Sequence, residues 1–146
     1  MDWIPAVKSQ LETMGHSVIT PTLPTGLLAS YTLWKSAVSG ILQSIPREAI
    51  LVGHGIGGNI LLSLLSETVY DPTMLILVNT PCRIPDHAGY RKLSNTFFTE
   101  PYIWEHITGQ VKEIHVLVSD NDPFVAPTSS HILTTVCPTW MSHCMS

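Results

Sequence analysis

The chain has 146 residues, 45% of them apolar and only 12% charged, with seven Lys and Arg against eleven Asp and Glu. That length fits one domain, residues 1–146, able to bury about 70% of its unfolded surface, and the composition excludes a disordered chain. With a net charge of −4 and basic residues scattered singly, no cationic stripe exists to hold a phosphate backbone, so nucleic acid and anionic membrane are excluded as expected partners.

The longest apolar runs, such as Met74-Leu-Ile-Leu-Val78, are of strand length and too short to cross a bilayer. The opening MDWIPAVK has neither a basic leader nor an apolar one. Cys82, Cys137 and Cys144 form no even-numbered framework and read as free thiols. The expected compartment is the cytoplasm.

In chain order, Ile4, Val7, Leu11 and Met14 recur at helical spacing over Asp2–Met14, with Pro5 in the first turn and Gly15 at the end. His16–Thr20 reads as a short strand closed by Pro21. A second helix is expected over Thr32–Ile45, with Trp34, Val38, Ile41, Leu42 and Ile45 on one side and Pro46 as its stop. Ala49–Gly53 reads as a strand, and Asn59–Ser66 lies in the helix that follows. Thr73–Asn79 is an apolar strand bounded by Pro72 and Pro81, as expected for one covered on both faces. Pro85–Glu100 reads as loop with a short helix, Tyr102–Thr108 as helix, Glu113–Val118 as strand, and Ser129–Val136 as a last helix. The tail 137–146 has no period and is expected to be irregular. Strands alternating with helices through short turns imply α/β architecture: a three-layer, open, mostly parallel sheet with helices on both faces.

The most informative segment is Gly53-His54-Gly55-Ile56-Gly57-Gly58, a glycine-packed corner between an apolar strand and a helix. Strand, small flanking residues and following helix are the context of a nucleophile elbow, Gly-x-Ser-x-Gly. Gly55 stands where the serine belongs, with Gly53 and Gly57 read as the flanking positions that leave no room for a side chain. The same residues satisfy Gly-x-Gly-x-x-Gly through Gly53, Gly55 and Gly58, which leaves a dinucleotide-binding reading open. That reading wants a carboxylate at the end of the next strand, where the chain has Val78-Asn79-Thr80. A second motif, Ser119-Asp-Asn-Asp-Pro-Phe-Val-Ala-Pro127, follows a late strand. A carboxylate there would share the sheet edge with the elbow and could orient a histidine ring, although Asp, Asn and Pro are also ordinary turn residues.

Taken together, Asn95-Thr-Phe-Phe-Thr-Glu-Pro-Tyr-Ile-Trp-Glu-His106, the Asp-Pro-Phe loop and the opening Asp2–Pro21 resemble the retinoblastoma-binding protein 9 group of small α/β-hydrolase-fold serine hydrolases. The resemblance spans residues 2–127. It implies an α/β-hydrolase-like sheet that lacks the group's first strand. It puts Gly55 at the nucleophile position, Asp122 at the triad acid, and the Ile56 backbone N–H as one oxyanion donor. Tyr102 and Trp104 fall in the segment that would cap the pocket, with core packing the competing role for Trp104. His54 would pack beneath the turn as a pocket residue and not act as a base.

The chain departs from the group's pattern in two further ways. The strand and His-Gly loop that would supply the second oxyanion donor have no counterpart, and the Gly-His-Phe setting of the catalytic histidine is absent. His143 is the one histidine near that point; His131 and His115 read as helix and strand side chains. No Cys or His pair has zinc-site spacing, so no metal and no cofactor are expected. The Leu-x-Cys-x-Glu segment for which the group is named is missing, so pocket-protein binding is not expected either. The resulting expectation is a hydrolase-family pseudoenzyme that retains a site for a small acyl or peptide-like ligand. Two alternatives stay open: an active hydrolase with an unconventional nucleophile or a longer native product, and a dinucleotide-binding domain.

Overall fold

The computed structural model describes residues 3–25, 30–81, 97, 102–122 and, for the backbone alone, 141–145. The helices are α1 (Ile4–Thr13), α2 (Tyr31–Ser44), α3 (Ile56–Glu67) and α4 (Trp104–Gln110). The strands are β1 (Ile50–His54), β2 (Met74–Val78), β3 (Glu113–Ser119) and β4 (Met141–Met145). All pairings are parallel in the order β1-β2-β3-β4, so every strand ends on the same rim.

Register carries the burial pattern across the sheet. Leu51 is level with Leu75 and Ile114, and Gly53 with Leu77 and Val116. These four leucine, isoleucine and valine neighbours in β2 and β3 are all buried on the face that α3 covers. The other face begins with Ile50, Val52 and His54 of β1, and there Trp3, the residue capping α1, sets its ring edge against His54 at 5.7 Å. Helices therefore lie on both faces of a parallel sheet, the layering expected of alternating strands and helices.

α3 is the hub. Gly58 to Ser66 are buried without a break, because β1, α2 and α4 pack around it. A helix enclosed on several sides has no use for a polar stripe, which is why Ile60, Leu61, Leu62, Leu64 and Leu65 succeed one another. Leu42 of α2, Ile107 of α4 and Phe97 join the same core, and Tyr31 and Trp34 close on Phe97 edge to face.

Three expectations are corrected. His16–Thr20 carries no strand, and Ile19 is 56% exposed. Strand geometry is held by a neighbour's hydrogen bonds, and among the described residues this segment pairs with no strand. The tail, expected to be irregular, forms β4 along β3 at Met141–Met145. Gly57 is not crowded: a Cβ there would meet nothing within 4 Å, and the tight contacts belong to Gly53 and Gly58. The expected helix Ser129–Val136 and the segment Pro85–Glu100, apart from Phe97, lie outside the described residues.

Candidate active site

The elbow is built by two glycines that let α3 press on β1. A Cβ on Gly53 would sit 2.5 Å from the Gly58 Cα, and one on Gly58 would sit 2.0 Å from the Thr80 Oγ1. Thr80 is fully buried at the end of β2, so the strand-to-helix corner is clamped from the neighbouring strand as well. At the apex, Gly55 takes φ 53° and ψ −125° and caps α3 with no side-chain hydrogen bond. That conformation disfavours any residue with a Cβ. Its N–H donates to the Val78 carbonyl at 2.9 Å, fixing the apex to the end of β2. Ile56 is the first residue of α3, in the turn whose N–H groups have no intrahelical partner. Its amide therefore stands at the rim, where the sequence reading put an oxyanion donor.

Asp122 lies on the same rim, three residues beyond β3, and is held by Asn79. Asn79 terminates β2 with φ 43° in the left-handed region, which asparagine tolerates better than most residues. Its Nδ2 donates to the Asp122 Oδ2 at 2.8 Å, its Oδ1 accepts from the Ser119 N–H at 2.8 Å, and its own N–H donates to the Leu117 carbonyl at 2.8 Å. Consecutive residues at the end of β2 and just past it thus anchor both candidate groups, Val78 holding Gly55 and Asn79 holding Asp122. β2 separates the two strand ends, which puts them two strand spacings apart, about 10 Å. Sequence reasoning asked of Asn79 only whether it was a carboxylate and missed this role. An asparagine closing an apolar strand was the available signal.

The Tyr102 hydroxyl accepts from Asn59 Nδ2 at 2.6 Å, and Asn59, fully buried one turn along α3 from Gly55, also donates to the Pro81 carbonyl at 2.7 Å. Trp104 packs edge-on against Tyr102 at 5.6 Å and borders the core. Its helix is tied to the far end of α3, where the Ile103 N–H donates to Ser66 Oγ and His106 Nδ1 pairs with the Ser66 carbonyl. Ser66 is some 16 Å along the helix from Gly55 at 1.5 Å per residue. Tyr102 is therefore connected to the elbow, and Trp104 stands behind it. His54 is exposed against Trp3 and not enclosed beneath the turn. The backbone of His143 pairs with Leu117, inside the ladder and short of the rim. His115 lies in β3 with its Nε2 3.3 Å from the Glu113 carboxylate, and His131 lies outside the described residues.

Away from the rim, a polar cluster joins α2 to α3. Lys35 Nζ bridges both carboxylate oxygens of Glu67 at 2.5 and 2.6 Å and lies over the Tyr31 ring, while the Tyr31 hydroxyl pairs with Ser63 Oγ. Burial works against the Lys35 charge, but its hydrogen bonds to Glu67 and Tyr31 outweigh it and hold its pKa above the ordinary 10.5.

No protein-family model matches the sequence, and no curated protein does. Solved structures do. The ydeN gene product of B. subtilis superposes with a TM-score of 0.84 at 18% identity, over 99% of this chain and 76% of that one. An esterase domain from Rhodothermus marinus gives 0.66 at 16% identity, over 95% and 67% of the two chains. The methylesterase MES16 of Arabidopsis gives 0.66 at 12% identity, over 94% and 80%. With its parallel sheet, its buried elbow helix and these likenesses, the chain has the α/β-hydrolase fold.

Proposed function

We propose that this chain is a serine-hydrolase-like protein whose covalent mechanism is disabled at the nucleophile, and that it retains a rim able to hold a small acyl or peptide-like ligand. One observation carries the reading: Gly55 occupies the elbow apex in a conformation that disfavours residues with a Cβ, φ 53° and ψ −125°, and brings no oxygen to it. Acyl transfer on this architecture needs a hydroxyl, a base, an orienting acid and oxyanion donors. Asp122 has the acid's position, the Ile56 N–H one donor's, and His143 is the nearest residue in sequence to the expected base. Because such groups act as a unit, loss of the nucleophile removes most of their joint contribution.

The ester-class ligand is suggested by two structural neighbours, an esterase domain and a methylesterase. Kinship with the retinoblastoma-binding protein 9 group rests on the Phe-Thr-x-Pro-x-x-Trp-Glu run and the Asp-Pro-Phe loop. A cytoplasmic location goes with a cysteine count of three, which forms no even-numbered framework. The dinucleotide reading gains no support, because at the end of β2 the Asn79 amide is already engaged by Asp122 and Ser119.

A serine-directed fluorophosphonate probe tests the proposal. The chain as it stands is expected to take up no label under conditions that label an active esterase. Stoichiometric labelling would mean that another nucleophile serves, and the inert reading would fail.

A further inference from the structure

We draw no further inference here: the strongest candidate, the polar cluster of Asn59, Tyr102 and the Pro81 carbonyl beside the elbow helix, belongs to the site already described, and the Asn59 Oδ1 that meets no donor among the described residues is buried beyond the reach of a ligand.

Discussion

At Gly55 the backbone does what a nucleophile elbow asks of it, and the side chain does not. A serine at φ 53° and ψ −125° would sit in a region that costs of order 1–3 kcal/mol. Gly55→Ser is therefore expected to lower the unfolding free energy by about 1–3 kcal/mol while leaving the denaturant m-value unchanged, as read from urea titrations. The neighbouring glycines divide differently from the sequence reading. Gly58→Ala would drive a methyl into the buried Thr80 side chain and should cost about 1–3 kcal/mol. Gly57→Ala points into open space on a helix and should gain about 0.5–1 kcal/mol. The pattern Gly-x-x-x-Gly names Gly53 and Gly57, but α3 crosses β1 at Gly53 and Gly58. Which glycine is crowded depends on the crossing point of helix and strand, a three-dimensional quantity that motif spacing does not contain.

Among the elements, α1 and α2 were readable from their apolar spacing, β2 from its unbroken apolar run between turn residues, and α3 from the glycine corner that precedes it. The corner after β2 was not, because its function lies in which groups one amide reaches. Asn79→Ala removes two side-chain hydrogen bonds and leaves a Cβ residue at positive φ, so a loss of about 1–3 kcal/mol is expected. Asn79→Gly restores the backbone freedom but not the bonds. It should recover part of the stability while the Ser119 amide still exchanges faster than in the unaltered chain. The tie between α2 and α3 has a pH signature. The pKa of Lys35 is raised on folding, so its contribution is present below the ordinary lysine range and fades as pH rises through the higher folded value. The Tm difference between the unaltered chain and Lys35→Met should be constant near neutrality and shrink above about pH 10.4, the reference lysine pKa.

At the scale of the whole molecule, layering and parallel pairing followed from the alternation of elements, but the sheet's limits did not. His16–Thr20 has strand composition and no ladder; Met141–Met145 has no period and is a strand because β3 offers it an edge. Strand formation is decided by the neighbour, and neighbours are distant in sequence. The order β1-β2-β3-β4 then predicts a pattern that no local argument would give. Amide hydrogens of Leu51, Gly53 and Gly55 are bonded to β2 and should exchange slowly, while those of Ile50, Val52 and His54 should exchange fast. In β2, held on both sides by β1 and β3, every amide from Leu75 to Val78 should be slow. Residue-resolved exchange measured by NMR distinguishes the cases. Alternation along β1 is the mark of an edge, and uniform protection of Ile50–His54 would mean that a strand lies beside it.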